Sequence, residues 1–584
     1  MRGPPVHYRR SDTSAVARNS SRFFVRWKRA PYGSPPLRRQ QGRLDMEAWD
    51  IIVLGDGPAA LNAAAEAAKG GASTLLMSSS ALGNPGLASL EGLSASIQEM
   101  NNRSHREDTI RNGAFLCDQD IVAETTAGAV KHVDLLERRG LNFRRDQQGL
   151  PMVRKAPGHA QPRTTDAGSA TVTALQQIAE EQCMRHGVIR RGDQLPLTLV
   201  HTNQSVDGLI ALDMINGRII GLQCKALIIA DEGFEGAFGN GVVGLGMDMA
   251  FRAGVPLRDM EFMTHHPLVV KDTNLFLPTG LLNDGARLHE GSGAPIETDG
   301  KTSLEISQAV SDAVQPVLDA RNMGGAAPWW GSLFRLVKQR TGIDMNRQTV
   351  PLSPAVGHTI GGLPVDGKGR CVVGTWSRWF TGLYAAGDAA CTGLHGAAPL
   401  PGNRLLDALT SGTSAGQEAS AWVKDKKFST VDSMEAALSD AQGDVSAMMD
   451  DDGEGHVARC GTVMSSLHTA LASTTHFSET SMTALLSKLE TISHTAESLH
   501  VDQRSLIANT NLLEVLRTQA AVRMVTASVQ TGLARKESRG SFTREDFPDS
   551  DEAFLHHFTV DQDGTIGTLA LKKGTGGHWV LAPQ

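Results

Sequence analysis

Two glycine-containing segments far apart in the chain carry residue types that can hold a nucleotide. In the first, the apolar residues 51–54 run into Gly-Asp-Gly-Pro-Ala-Ala and an alanine-rich stretch. Glycines permit a tight turn after a strand, so that backbone N–H groups at the start of a helix can approach a pyrophosphate. The predicted contacts with that pyrophosphate are Gly55, Gly57, Pro58, Ala59 and Ala60.

The second segment is another apolar strand, 381–386, that ends in Gly387-Asp388. A carboxylate at that point can accept hydrogen bonds from a polyol such as ribitol. A Gly-x-Gly-x-x-Ala turn alone is common after strands and weakly diagnostic. The combination of a pyrophosphate turn with a polyol acceptor indicates a flavin dinucleotide, FAD.

Strand, turn, helix and strand follow one another over 46–80, the βαβ start of a dinucleotide-binding fold. A Rossmann protein usually has an acidic residue after the second strand, whereas this chain has Ser78-Ser79-Ser80. We therefore expect hydroxyls, Ser78 first, to meet the adenosine ribose. The apolar run 226–230 predicts a further strand of the same sheet, which makes Asp231 at its end another predicted cofactor contact.

Length and composition set limits on the class of protein. A chain of 584 residues exceeds one hydrophobic core, so two to four structural units are expected. No run reaches ~18 apolar residues, so no segment is predicted to cross a bilayer. The six cysteines are scattered without a Cys-x-x-Cys pair, which argues against an iron–sulfur cluster, structural zinc or disulfide framework in this chain. No metal site is predicted.

Residues 1–45 hold eleven Lys or Arg against two Asp. An Arg- and Ser-rich, acid-poor extension of this kind is typical of a mitochondrial transit peptide. The alternative is that Met46, directly before the first strand, is the true start. In both cases the extension is excluded from the fold, and the acidic remainder makes nucleic acid an unfavourable partner.

The rest of the chain predicts an α/β protein with an insertion and a helical end. The predicted units are a basic N-terminal extension, an FAD-binding domain in two parts, an inserted capping domain, a polar linker, a helical domain and a C-terminal segment. Their ranges are 1–45, 46–240 with 350–423, 241–349, 424–455, 456–536 and 537–584. Helices are predicted over 121–138, 171–186, 304–322, 403–423 and 511–533.

Five further motifs occur in a fixed order: 244–254 leading into Met-Glu-Phe-Met-Thr-His-His-Pro at 260–267, His-Thr-Ile-Gly-Gly at 358–362, His-Gly-Ala at 395–397, Gly-Asn-Arg-Leu-Leu-Asp at 402–407, and Glu-Ser-Arg-Gly at 537–540. In this order, over roughly 46–560, the chain resembles the flavoprotein subunits of succinate dehydrogenase and fumarate reductase, with the related L-aspartate oxidases. The resemblance implies a Rossmann-like FAD-binding domain, an inserted α+β capping domain and a C-terminal helical domain.

The resemblance also implies roles for individual residues. His266 and His358 are similar to the family's two dicarboxylate-binding histidines, and Asp388 to its acidic residue at the flavin hydroxyls. Asp248 is a further predicted cofactor contact. Asn403, Leu405 and Leu406 would begin a helix aimed at the isoalloxazine, where backbone N–H groups and the helix dipole stabilise negative charge on a reduced flavin.

Three positions depart from the family pattern. Pro85 replaces the histidine that tethers FAD in respiratory members, so noncovalent FAD is expected. Ser307 aligns with the arginine that anchors carboxylate and relays a proton, which a neutral serine cannot do. Pro399 replaces a second substrate-binding arginine. Arg404 and Arg287 are the candidates to stand in for the two lost cations.

The leading functional prediction is an FAD-dependent subunit that interconverts succinate and fumarate. It would pass electrons to an iron–sulfur partner on membrane-anchor subunits, at the cytoplasmic face of the membrane or, with a transit peptide, in the mitochondrial matrix. One alternative is a soluble L-aspartate oxidase or another dicarboxylate oxidoreductase. The other is an FAD-binding subunit that has lost catalysis, for which Ser307 and Pro399 are the motivation.

Overall fold

The computed structural model describes residues 46–80, 91–98, 102–239, 241–450, 458–474, 477–499 and 501–583. The basic extension 1–45 and the tether position Pro85 lie outside these residues. The predictions of a transit peptide and of noncovalent attachment therefore stay predictions.

The described residues include 21 strands. In chain order they are β1 Met46–Leu54, β2 Thr74–Met77, β3 Leu93–Ser94, β4 Thr164–Thr165, β5 Ile189–Arg191, β6 Gln194–Thr202, β7 Ser205–Asp213, β8 Arg218–Ile229, β9 Leu257–Arg258, β10 Met263–His266, β11 Arg287–His289, β12 Pro295–Ile296, β13 Val317–Asp319, β14 Val350–Pro351, β15 Ala355–Thr359, β16 Leu363–Pro364, β17 Arg370–Val373, β18 Thr375–Ala385, β19 Ala390–Cys391, β20 His557–Val560 and β21 Ile566–Leu569.

Thirteen α-helices accompany them within the same residues. They are α1 Pro58–Lys69, α2 Arg103–Asn112, α3 Gln119–Arg138, α4 Thr171–His186, α5 Leu245–Arg252, α6 Gly280–Asn283, α7 Ser303–Asp312, α8 Gly331–Thr341, α9 Asn403–Val423, α10 Asp432–Asp450, α11 Cys460–Ala472, α12 Glu479–Glu497 and α13 Thr510–Ala534.

The main sheet has the strand order β17-β18-β7-β8-β1-β2-β5, with β6 paired to β7. Strands β5, β2, β1, β8 and β18 run parallel. Strand β6 pairs antiparallel with β7, β7 with β8, and β17 with β18. In the parallel part Leu54 pairs with Met77 and with Ile229, and Ile229 pairs with Ala385. The carboxyl ends of four strands therefore meet at one edge, where ligands of open α/β sheets bind.

Helices α1 and α9 pack against each other and both contact this sheet, and small residues set the helix spacing. A Cβ added at Gly412 would lie 2.4 Å from the carbonyl oxygen of Ala59, and one at Gly416 would lie 2.3 Å from that of Ala63. The two backbones thus pack at a distance that only glycine allows. This contact fixes the start of α9 relative to the turn before α1.

The predicted capping segment, 241–349, divides between two apolar cores. Met247, Met249 and Ala250 of α5 pack in the core of the main sheet. A separate cluster runs from Leu268 to Leu352 and includes Trp330. It is built on the antiparallel sheet β12-β11-β13-β14 with α7 and α8.

The predicted helix 304–322 is wrong in its second half. Helix α7 ends at Asp312, and Val317–Asp319 forms β13. Pro316 explains the difference, because proline disfavours helical conformation in the preceding residue and cannot donate a helical hydrogen bond.

The predicted polar linker 424–455 contains a helix, α10. Met434, Leu438, Ala441 and Val445 are buried, and α10 packs on β6, β7 and β8. Their spacing of four, three and four residues is helical. The many acidic and small residues between them concealed this stripe in the sequence.

Helices α11, α12 and α13 form the C-terminal helical part, with α12 packed on both others. Helix α13 matches the predicted 511–533 within two residues, and β20 and β21 follow as predicted short strands. The predicted α/β fold class, with an inserted cap and a helical C-terminal part, is confirmed. Among the helices of the described ranges, none is long and apolar enough to span a bilayer.

Candidate nucleotide and dicarboxylate site

The residues predicted to hold the nucleotide come together at the carboxyl edge of the main sheet. Gly55 follows β1, Ser78 follows β2, Asp231 lies two residues beyond the end of β8, and Gly387-Asp388 lies after β18. The strand register places these four ends side by side. Distant segments therefore meet at one edge of the sheet, because the strands are parallel and in register.

The backbone of the turn after β1 is shaped as the glycine pattern predicts. Gly55 has φ +123°, and a Cβ there would lie 2.2 Å from the carbonyl oxygen of Ala230. Gly57 caps α1 in an extended conformation, and Pro58 is its first residue. Gly387 has φ +62° and would place a Cβ 2.6 Å from that of Ala59. The N–H groups of Ala59 and Ala60 belong to the first turn of α1, as a pyrophosphate site requires.

The cavity beside this turn, here called the cradle cavity, is lined by acidic side chains as well. Its wall includes Gly55, Asp56, Ser78, Ser79, Ser80, Asp231, Glu232, Leu245 and Arg517. Burial raises the pKa of Asp231 to about 7, although Oδ2 accepts a hydrogen bond from the Gly246 N–H at 2.6 Å. Burial, with the nearby charges of Asp388 and Glu235, raises the pKa of Glu232 well above its usual range.

The start of α9 is held by its neighbours. The Asn403 side chain bonds His105 Nε2 at 2.7 Å and donates to Thr109 Oγ1 at 2.9 Å. Leu405 and Leu406 are buried in an apolar cluster with Leu93. These three side chains are therefore used in packing, and what α9 can offer a flavin is its first-turn N–H groups.

Asp248 does not line the cradle cavity. Its oxygens accept hydrogen bonds from Arg523 Nε and Nη2 at 2.7 and 2.8 Å, and from Arg252 Nε at 3.0 Å. Asp248 thus joins α5 to α13. That Asp248 contacts the cofactor stays a prediction, and α13 supplies a cation partner that the local motif could not reveal.

A second cavity, here called the histidine cavity, collects the predicted dicarboxylate residues. Its lining includes His266, His358 and Arg404, with Glu91, Phe276, Ser303, Leu304, Pro399 and Pro401. Strands β10 and β15 pair antiparallel, with Thr264 opposite His358 and His266 opposite Ala355. This pairing explains why two histidines far apart in sequence share one wall.

Both ring nitrogens of His266 have partners. Nδ1 accepts a hydrogen bond from the Leu268 N–H at 3.1 Å, so Nε2 carries the hydrogen directed at Glu91 Oε1, 3.0 Å away, in the neutral ring. Glu91 Oε2 also accepts from the Thr279 hydroxyl at 2.8 Å. Glu91, which no sequence motif indicated, adds a carboxyl group to the cavity wall.

His358 is 5% exposed, and its Nε2 lies 3.6 Å from Asp388 Oδ1. Burial, reinforced by the positive charge of Arg404, lowers its pKa to about 3. The imidazole is therefore neutral at pH 7. Its Nδ1 is buried without a hydrogen-bond partner.

Arg404 is the cation of the histidine cavity among the described lining residues. Its Nε and Nη2 donate to Asp388, its Nη2 also donates to Glu235 Oε1 at 2.8 Å, and its Nη1 donates to the Gly357 carbonyl at 2.6 Å. Arg404 holds the pKa of Asp388 well below its usual range despite burial. Burial nevertheless raises the pKa of Glu235 to about 7. Glu235 was not among the predicted site residues, because it lies in a short 3-10 helix, Glu235–Phe238, beyond the end of β8 at Ile229.

Arg287 and Ser307 lie elsewhere than predicted. Arg287 is exposed on β11 and donates to the Ala286 carbonyl at 3.0 Å, so it is not a cation of the histidine cavity. Ser303 in the first turn of α7 lines the cavity, whereas Ser307, one turn later, is buried and does not. The serine of α7 that faces the cavity is therefore Ser303, which is uncharged, as Ser307 is.

The turn after β1 and the start of α1 suit the pyrophosphate of FAD, because no side chain caps the first N–H groups of α1. Asp56, Asp231 and Glu232 also line the cradle cavity, and the raised pKa values of Asp231 and Glu232 favour their uncharged forms. The backbone of the cradle cavity therefore fits the cofactor.

Two protein families match different parts of the chain. Residues 50–405 match the family described as FAD binding domain, and residues 474–574 match the fumarate reductase flavoprotein C-terminal family. The chain is 28% identical over 573 residues to a fumarate reductase flavoprotein subunit of Mycobacterium tuberculosis, covering 88% of this chain and 96% of that one. It is 31% identical over 395 residues to an L-aspartate oxidase of Agrobacterium fabrum, covering 63% and 73%.

A solved structure of a mutant E. coli quinol fumarate reductase superposes with a TM-score of 0.82 at 23% identity. The match covers 93% of this chain and 99% of that one. At this identity the likeness shows a shared fold. The domain match supports FAD as the nucleotide for which the fold is built.

Proposed function

The chain belongs to the flavoprotein family of the fumarate reductases and succinate dehydrogenases, and from this premise we propose that it is a subunit that has kept the family fold and lost succinate and fumarate turnover. Members of the family are FAD-dependent oxidoreductases. The observation that carries the proposal is the state of Arg404, whose guanidinium is fully engaged inside the protein.

Oxidising succinate to fumarate requires cations that hold two carboxylates and a group that moves a proton at the carbon. Arg404 gives its hydrogen bonds to Asp388, Glu235 and the Gly357 carbonyl. Two carboxylates already face this one guanidinium, so an incoming dicarboxylate meets no net positive charge there. Displacing either partner would leave a buried carboxylate without its cation, which costs several kcal/mol.

The remaining groups of the histidine cavity do not replace the missing charge. His358 is neutral because its pKa is lowered to about 3. His266 points its Nε2 at the Glu91 carboxylate. Ser303 and Pro399 line the cavity, Pro399 at a position where a cationic side chain was expected, and neither side chain carries charge.

Dicarboxylate oxidoreduction, on succinate, fumarate or L-aspartate, is the second candidate. The grouping of His266, His358 and Arg404 around one cavity favours it. In that case Arg404 would have to release Asp388 or Glu235 when substrate binds. Loss of catalysis and dicarboxylate oxidoreduction therefore predict different turnover rates for the purified protein.

The test uses the full chain with saturating FAD, whose occupancy is measured separately by absorbance. Succinate with an artificial acceptor, fumarate with a reduced dye, and L-aspartate with oxygen are each assayed. We expect turnover at least a thousandfold below the ordinary rate of ~10 per second. A rate within tenfold of that value, with flavin bound, overturns the proposal and supports the second candidate. Replacing His358 by Ala should then abolish that rate.

We propose further that the chain assembles with an iron–sulfur subunit and membrane-anchor subunits. The match along 96% of a relative named as a flavoprotein subunit supports this assignment. The complex would sit at the cytoplasmic face of the membrane, or in the matrix if 1–45 directs import. Affinity purification at native expression, with partners identified by mass spectrometry and iron analysis, tests it. Recovery of an iron-free monomer from solubilised membranes contradicts it.

A further inference from the structure

Apolar side chains make up much of the wall of the histidine cavity. The cavity has a volume of about 80 Å³, and a single water needs roughly 10 to 15 Å³ of cavity volume. It can therefore hold an organic molecule of several heavy atoms. The apolar side chains come from the cap and from the segment before α9, and they include Pro267, Phe276, Leu304, Pro399, Leu400 and Pro401.

The arginine and the glutamate of this wall already have partners. Arg404 donates from Nε and Nη2 to the Asp388 carboxylate. Both oxygens of Glu91 accept hydrogen bonds, Oε1 from His266 Nε2 at 3.0 Å and Oε2 from the Thr279 hydroxyl at 2.8 Å. A charged ligand would have to displace one of these partners.

Among the described residues, the polar side chains of the wall that lack a hydrogen-bond partner are uncharged at pH 7. Two of them are the hydroxyls of Thr264 and Ser303. Burial lowers the pKa of His358 to about 3 and also lowers the pKa of His265, so both rings are neutral. A serine or threonine hydroxyl can donate to a carbonyl oxygen without burying a charge. The wall thus combines apolar surface with a few neutral hydrogen-bonding groups, as small-molecule sites do.

We propose that the histidine cavity binds a small uncharged organic molecule with an apolar body and a carbonyl group, such as an ester or a ketone. The inference rests on the proposed function, since both require Arg404 to stay bound to Asp388. The apolar body leaves water for the surface of Phe276 and Leu304, which is favourable. The Ser303 hydroxyl donates to the carbonyl oxygen. A carboxylate in the same place would lose its hydration and meet no cation that is free to replace it.

The first test needs no variant. The full chain is saturated with FAD, and ligand-observed NMR gives dissociation constants for methyl butanoate and for pentanoate. These two probes have the same number of heavy atoms and differ in charge. We expect the ester to bind at least tenfold more tightly, because burial of an unpaired carboxylate is unfavourable. Equal affinities, or tighter binding of pentanoate, overturn the proposal.

Two further probes test the charge and the apolar body separately. Pentylammonium carries a positive charge, and we expect it to bind more weakly than the ester because both Glu91 oxygens are occupied. Tighter binding of pentylammonium would make this a cation site and overturns the proposal. Succinamide is uncharged but polar at both ends, so it should bind at least tenfold more weakly than the ester, which gains more from apolar contact. Equal binding of succinamide overturns the requirement for an apolar body.

Variants assign the ester to the histidine cavity. Ser303→Ala removes the proposed hydroxyl donor and should weaken ester binding several-fold. Leu304→Asp places a charge on the apolar wall and should abolish it. The matched control is Ser332→Ala, which changes an exposed serine in the first turn of α8 and should leave the affinity unchanged. Unchanged ester affinity in both cavity variants overturns the assignment.

Succinate turnover is measured on the same preparation, so that the two conclusions can fail separately. Turnover near the ordinary rate overturns the proposed function and this inference with it. Absent turnover together with equal affinities for the ester and pentanoate overturns this inference alone. Absent turnover with the expected preference for the ester supports both.

Discussion

Arg404 donates two hydrogen bonds to Asp388, from Nε to Oδ1 at 3.0 Å and from Nη2 to Oδ2 at 2.7 Å. This bidentate pair joins the first turn of α9 to the turn after β18. Such pairs are strong because both partners are ionised and their geometry is fixed. Arg404 is the one cation among the described residues that line the histidine cavity. The pair with Asp388 explains why its guanidinium points at the protein and not at the cavity.

Replacing Arg404 by Ala is expected to destabilise the fold by about 3 to 5 kcal/mol, since it leaves Asp388 and Glu235 as buried carboxylates without their cation. Urea unfolding measures the change. Arg287→Ala is the control, because Arg287 is exposed and bonds backbone carbonyls. It should alter stability by less than about 0.5 kcal/mol. Equal effects of the two substitutions would show that the Arg404 ion pairs contribute little.

Releasing Arg404 should create dicarboxylate affinity. In Asp388→Asn the guanidinium keeps Glu235 and loses one opposing charge, so an external carboxylate can bind. We expect 20 mM succinate to raise the melting temperature of this variant by a few degrees and to leave that of the wild type unchanged. Succinamide, which is uncharged, is the control ligand. A wild-type shift as large as that of the variant is the contrary result.

Asp231 makes stability depend on pH. Its folded pKa, about 7, lies above its ordinary value of 3.8, so the folded protein binds this proton more tightly. The stabilisation is complete below pH 4 and is lost as pH rises through 7. This group should cost about 1 kcal/mol of folding free energy between pH 6 and pH 8.

Asp231→Asn should reduce that difference, as measured by urea unfolding at the two pH values. The charges of Asp56 and Asp248 also raise the pKa of Asp231. Asp440→Asn on the exposed face of α10 is the control and should leave the pH dependence unchanged. An identical pH dependence in Asp231→Asn and wild type would be evidence that Asp231 is ionised throughout.

Two helix glycines should respond to alanine with opposite signs. A Cβ at Gly416 would meet the Ala63 carbonyl oxygen at 2.3 Å, so Gly416→Ala forces α1 and α9 apart and costs about 1 to 3 kcal/mol. Gly443 in α10 has open space around it, so Gly443→Ala should stabilise by about 0.5 to 1 kcal/mol. Thermal unfolding measures both. Stabilisation by both substitutions would refute the close packing of α1 on α9.

Local patterns were sufficient for much of the fold. The strand and glycine turn before α1, the 16 residues of α4 and the 21 residues of α9 are set by apolar periodicity and by breakers at their ends. Apolar periodicity predicted the wrong secondary structure at two places. Pro316 divided a predicted helix, and acidic residues hid the apolar stripe of α10.

The sequence by itself determined the family, the nucleotide turn and the candidate histidines, because each depends on residue types within a short segment. The tertiary structure decided which charges meet. Arg404 could have faced a substrate, but β15 brings Gly357, the turn after β18 brings Asp388, and the segment after β8 brings Glu235 to its guanidinium. Asp248 likewise pairs with Arg523 from a helix far along the chain. Electrostatic partners depend on distance in space, which residue order does not specify.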